Sequence, residues 1–102
     1  NLKVTPSDPT MYVGRYISLL KLSPKTQTRA IELIEKAQAK AITSGKSPIG
    51  IVAAAIYAAS KLTNEKTTQE AIADAIGITE VTIRNRYKEL VDSLNLKSLA
   101  TA

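Results

Sequence analysis

The chain has 102 residues, enough for one domain with a modest core. It has no Cys and no His, which excludes disulfides, thiolate chemistry and cysteine-ligated zinc, and removes the commonest general base and metal ligand at neutral pH. Fourteen basic residues against nine acidic ones leave a net charge of +5, which suits a polyanion or an acidic protein partner without choosing between them.

The longest apolar run, Ile51 to Ala59, is nine residues, half of what a membrane span needs, and belongs inside a core. No secretory signal is visible in Asn1 to Asp8, so neither membrane nor export is expected. The chain does not start with Met, and is expected to be a piece of a longer protein. The acidic residues are scattered over the polar sides of predicted helices, so no catalytic pair, cofactor or metal site is expected.

Asp8-Pro9, Ser23-Pro24 and Ser47-Pro48 each set a capping side chain before a proline. The oxygen accepts from an orphan backbone N–H, and proline at the first helical position sacrifices no hydrogen bond. Three helices are therefore predicted to start there. The first runs over 9–21, with Tyr12, Tyr16, Leu19 and Leu20 on one stripe. The second runs from Pro24 to about Thr43 and closes near Gly45. Its buried side is Ala30, Ile34, Ala37 and Ala41, with Glu32 and Lys36 as a supportive i,i+4 pair. The third, over 48–62, is apolar nearly all round and is expected at the centre, wrapped by the others.

Thr67 and Glu70 read as a capping box opening a fourth helix over 68–76. Gly77 stops it by supplying a left-handed residue cheaply. Thr79 caps a fifth helix over 80–94, with Glu80 in its first turn favoured by the helix dipole. No segment reads as a strand. Asn95 to Ala102 carry weak signals and are expected to fray. The fold class is all-α: five helices, one domain, no internal repeat.

The segment from Gln69 to Lys88 has the layout of a helix-turn-helix. Ala73 is the small residue at the helix crossing, Gly77 makes the turn, and Ile72, Ile76, Ile78 and Ile83 form the shared seam. Arg86 stands where an apolar residue is usual, leaving that packing to Tyr87 and Leu90. At 100° per residue, Ile83, Tyr87, Leu90 and Leu94 face inward, while Val81, Arg84, Asn85 and Lys88 face outward. An arginine pairs with guanine in the major groove, an asparagine with adenine, and a valine methyl touches a thymine methyl.

Lys66, Thr67, Thr68 and Gln69 cluster at the start of the fourth helix, and Lys46 with Ser47 at the start of the third, where backbone N–H groups favour phosphate. The competing reading is a plain helix corner, with Arg84, Asn85 and Lys88 as a solvated face. No Gly-bounded alternating segment follows the fifth helix, so no wing is expected. The four tyrosines fall at core-compatible positions and, without Trp or Phe, make no platform for single strands.

Three stretches together carry a family resemblance: Ser47-Pro-Ile-Gly-Ile-Val-Ala-Ala-Ala-Ile-Tyr-Ala-Ala-Ser60, Thr68-Gln-Glu-Ala-Ile-Ala-Asp-Ala-Ile-Gly77, and Glu80-Val-Thr-Ile-Arg-Asn-Arg-Tyr87. In order and spacing the chain, from about Asp8 to Leu96, resembles the second cyclin-like repeat of archaeal transcription factor B and its eukaryotic counterpart, general transcription factor IIB. Arg84-Asn-Arg-Tyr-Lys-Glu-Leu90 looks more archaeal than eukaryotic.

The resemblance implies a five-helix cyclin-like fold and double-stranded promoter DNA as ligand. The element read lies just upstream of the TATA box, in complex with TATA-binding protein. Base contacts map onto Val81 and Arg84, with Thr82 and Asn85 as companions; the phosphate contacts expected at Lys88 and at the helix starts named above come from the residues themselves and not from the resemblance. RNA polymerase would be recruited through the full-length parent, whose zinc ribbon and first repeat are not in this sequence. A lone repeat is expected to be monomeric and to bind DNA weakly. It would act in the cytoplasm at the nucleoid if archaeal, or in the nucleus if eukaryotic. The alternative is a cyclin-like protein-interaction module that binds no DNA.

Overall fold

A computed structural model describes residues 10–40 and 48–94, with side chains from residue 12 onward. It contains five helices in chain order: α1 (Thr10–Leu20), α2 (Pro24–Ala39), α3 (Pro48–Leu62), α4 (Gln69–Ile76) and α5 (Glu80–Ser93). The expectations on Asp8, Pro9, Ala41, Gly45, Lys46, Ser47 and Asn95 to Ala102 lie outside the described residues.

α3 is the hub: it packs against each of the other four helices, and no other helix does. Gly50 to Ile56, Ala58, Ala59 and Ser60 are all buried, as an apolar helix without a polar face requires. Its alanines carry no side chain beyond Cβ, so the neighbouring backbones come close. The core is completed by Val13, Tyr16 and Ile17 of α1, Ala30, Leu33, Ile34 and Ala37 of α2, Ile72 and Ala73 of α4, and Ile83, Leu90 and Val91 of α5.

The helix ends follow local chemistry. Ser23 sits in extended backbone before Pro24 and its Oγ accepts from the Thr26 N–H at 3.4 Å. Three helices then end in the same way, with a left-handed residue followed by a 6→1 backbone bond. Lys21 (φ 57°) leads Leu22 N–H to the Ile17 carbonyl at 3.0 Å. Asn64 (φ 62°) leads Glu65 N–H to Ser60 at 2.8 Å, and Gly77 (φ 87°) leads Ile78 N–H to Ala73 at 3.2 Å. These are Schellman closures, and only the glycine one is conspicuous in the sequence.

Four details differ from expectation. Leu19 is 57% exposed, because the face of α1 turned to the core is Val13, Tyr16, Ile17 and Leu20, the i, i+3, i+4, i+7 set. α2 ends at Ala39 with Lys40 as its C-cap, short of Thr43, and nothing local in the sequence marks that stop. Glu32 pairs with Arg29 one turn back, at 3.1 Å, rather than with Lys36. The α4 cap is Thr68 and not Thr67: its Oγ1 accepts from Ala71 N–H at 2.9 Å. Position N3 is then Ala71, so Glu70 is one residue too early for a capping box.

A polar cluster joins the α1–α2 turn to the α3–α4 turn. Ser23 N–H donates to Glu65 Oε1 at 3.0 Å, and the hydroxyls of Thr26 and Thr63 lie 2.7 Å apart. The bonds from Ser23 hold the Glu65 carboxyl below its ordinary range.

Candidate nucleic-acid interface

α4, the turn and α5 form the expected helix-turn-helix. Ile72 and Ala73 of α4 and Ile83 of α5 are buried, while Ile76 and Ile78 pack against the core. Gly77 turns the chain through its left-handed conformation, and Thr79 starts α5 two residues later. Thr79 Oγ1 accepts from Thr82 N–H at 3.2 Å. Glu80 follows in the first turn, where its carboxylate meets the positive end of the helix dipole.

The inward face of α5 is Ile83, Leu90 and Val91, with Tyr87 and Leu94 partly buried. Tyr87 meets Tyr57 of α3 edge to face, with ring centroids 4.9 Å apart. Burial and the neighbouring Tyr57 push the Tyr87 hydroxyl above its ordinary range, and that oxygen has no hydrogen-bond partner among the described residues. Lys61 holds its ammonium 5.2 Å from the Tyr57 ring centre, so Tyr57 faces both. Tyr16 is buried and Tyr12, Tyr57 and Tyr87 pack against the core, as the sequence suggested.

Arg86 takes more part in packing than expected. Its guanidinium donates to Glu89 at 2.8 Å, and its stem lies along Gly50 in the first turn of α3.

The opposite face of α5 is uncovered. Val81 is 55% exposed, which for a valine in the first turn of a packed helix calls for an explanation. Arg84, Asn85 and Lys88 are exposed beside it, spread over about 10 Å of helix. Thr82 is turned away from this group. It is half-buried, its methyl faces Gly50 and its hydroxyl lies 3.1 Å from that of Thr79.

At the start of α4, Lys66 and Thr68 are exposed while Thr67 and Gln69 are half-buried. The Thr68 hydroxyl is already engaged as the cap, which leaves the free N–H groups of the first turn and the Lys66 ammonium for an anion. Lys46 and Ser47 lie outside the described residues, just before α3. The signal that sequence reasoning passed over was Gly50, a lone glycine inside an apolar helix, where a packing reason is the usual cause. Among the described residues no group of acidic, His or Cys side chains is arranged to hold a metal. No described helix is long and apolar enough to cross a membrane.

Five helices around a buried alanine-rich centre, closed by a helix-turn-helix with an open second helix, define a cyclin-like all-α repeat. The chain belongs to the transcription factor IIB repeat family, whose profile, described as "Transcription factor TFIIB repeat", matches residues 2–93. It is 52% identical over 101 residues to transcription initiation factor IIB 1 of Thermococcus kodakarensis, a match covering 95% of this chain and 34% of that protein. It is 49% identical over 96 residues to transcription initiation factor IIB of Methanothermococcus thermolithotrophicus, covering 94% of this chain and 28% of that one. Transcription initiation factor IIB 2 of Halobacterium salinarum is 52% identical over 93 residues, covering 91% and 29%. The chain thus spans about a third of the length of the curated relatives it matches. The names of these relatives are those of transcription initiation factors.

Proposed function

We propose that this chain is the promoter-reading repeat of a general transcription initiation factor, laying α5 in the major groove of double-stranded DNA just upstream of the TATA box. The observation that carries the reading is the uncovered face of α5 bearing Val81, Arg84 and Asn85. Each has a base-edge partner within its chemistry: guanine O6 and N7 for Arg84, adenine N6 and N7 for Asn85, and a thymine methyl for Val81.

Lys88, on the same face, and Lys66, Thr67, Thr68 and Gln69, at the start of α4, supply phosphate contacts that set the register of the helix. Lys46 and Ser47 belong to the same proposal. Thr82 is turned from this face and is not among the readers. The net charge of +5 favours the encounter.

In this reading TATA-binding protein on the adjoining DNA supplies much of the anchoring, and RNA polymerase is recruited by the longer parent. The repeat acts as a monomer wherever promoter DNA is, at the nucleoid of an archaeon or in a eukaryotic nucleus. The test is selection of duplexes from a randomised pool, with and without TATA-binding protein, followed by affinities over a salt series. Sequence preference with a steep salt dependence is the expected result. Absence of duplex binding at low salt in both arms would leave a protein-interaction module as the function.

A further inference from the structure

Gly50 lies in the first turn of α3, and α5 crosses directly over it. A Cβ placed on Gly50 would stand 3.3 Å from Thr82 Cγ2, 3.4 Å from Arg86 Cγ and 3.9 Å from Arg86 Cδ. Thr82 and Arg86 are i and i+4 on α5, so Gly50 faces two side chains one turn apart on that helix.

Thr82 is the neighbour that must give, and it is not free to step aside. Thr82 is β-branched and stiff at χ1, and its hydroxyl is committed towards Thr79. Arg86 is drawn to Glu89 at 2.8 Å. A side chain at Gly50 would therefore require Thr82 to give by a few tenths of an ångström, and a side chain that is stiff at χ1 passes that pressure to its own backbone. The far end of α5 is held separately, by Lys40 Nζ donating to the Ser93 carbonyl at 3.0 Å. The pressure at Thr82 falls in the first turns of α5, the part of the helix that carries Val81, Arg84 and Asn85.

We propose that Gly50 is the spacer that sets the seat of the reading helix on α3, and that the Thr82 methyl is what a side chain at Gly50 would push against, not a base contact. The inference rests on the proposed reading of DNA by α5. Bidentate base pairing is sensitive to sub-ångström placement, whereas phosphate attraction is not.

The experiment compares the chain as it stands with Gly50→Ala, Thr82→Ser and the double variant. Thr82→Ser keeps the hydroxyl and deletes the methyl that a new Cβ would meet. The readout is the ratio of affinities for the pool-selected duplex and a scrambled one, beside the salt slope. Gly50→Ala should lower that ratio about fivefold or more while leaving scrambled-duplex affinity and salt slope unchanged. The double variant should recover most of the loss, and Thr82→Ser alone should stay within about twofold of the parent.

A folded Gly50→Ala with an unchanged ratio, a double variant without recovery, or a Thr82→Ser as damaging as Gly50→Ala would each overturn the proposal. If Gly50→Ala folds only in the Thr82→Ser background, the spacer stands. If neither folds, Gly50 serves the core and the proposal fails.

Amide chemical shifts of the DNA-free protein separate this inference from the reading it rests on. Gly50→Ala should move the amides of Val81 to Asn85, and Thr82→Ser should move them back, even if the parent shows no sequence preference. Unmoved amides would sink the spacer alone.

Discussion

Lys40, the C-cap of α2, donates from its ammonium to the backbone carbonyl of Ser93, the last residue of α5, at 3.0 Å. A cation thus closes a helix C-terminus across 53 positions of sequence. It fixes one end of the helix whose other end carries the proposed reading face.

Replacing that ammonium should loosen α5 from its far end. For Lys40→Met we expect a loss of about 0.5–1 kcal/mol, because a solvent-exposed charge at a helix end contributes that much. The thermal midpoint should fall by a few degrees, and hydrogen exchange at the α5 C-terminus should rise while α3 stays protected. Equal loss of protection in both helices would show that Lys40 acts on the whole fold.

Arg84 and Lys88 lie one turn apart on the open face, yet they should respond differently. Arg84→Ala is expected to cost about 1–3 kcal/mol on the preferred duplex and to relax choice at one base position. Lys88→Ala should weaken all duplexes alike and reduce the salt slope by about one. Thermal midpoints should barely change, since both side chains are exposed and neither packs in the core. If both substitutions act uniformly on all duplexes, α5 is not the reading helix.

Gly77 should be intolerant of a side chain for reasons of backbone alone. Its φ is 87°, and a Cβ there would have no atom within 4 Å. Gly77→Ala is therefore expected to cost about 1–2 kcal/mol by strain, measurable in a denaturant titration with an unchanged slope. A cost close to zero would mean that the turn relaxes into another conformation.

Glu65 gives the fold an acid-sensitive joint. Its folded pKa lies below the ordinary 4.5 because Ser23 bonds its carboxylate. A depressed carboxyl pKa contributes stability that is present above the unfolded value and lost as pH falls through the folded one. Stability should thus decline below about pH 4.5, and Glu65→Gln should flatten that part of the profile while lowering stability at neutral pH. An unaltered acid limb in the variant would assign the decline to other carboxylates.

Much of this protein follows from local chemistry. The caps at Ser23 and Thr79, the left-handed Gly77 and the all-round apolar α3 depend on residues within a turn of one another, so their pattern is legible along the chain. The outward group Val81, Arg84, Asn85 and Lys88 was legible too, because helical spacing decides faces once the inward stripe is known. In the α1 stripe Leu19 alone is misplaced, since Leu19 and Ile17 are equally apolar and only the position of α3 decides which is covered.

Tertiary structure alone settled the rest. Thr67 and Thr68 are equal candidates for a cap until the chain path chooses one, and left-handed Lys21 and Asn64 carry no glycine to announce them. Ser23 and Glu65, Lys40 and Ser93, and Gly50 with Thr82 meet only after distant helices pack. A hydrogen bond or a close approach is a property of two partners in space, and linear order records only one of them at a time.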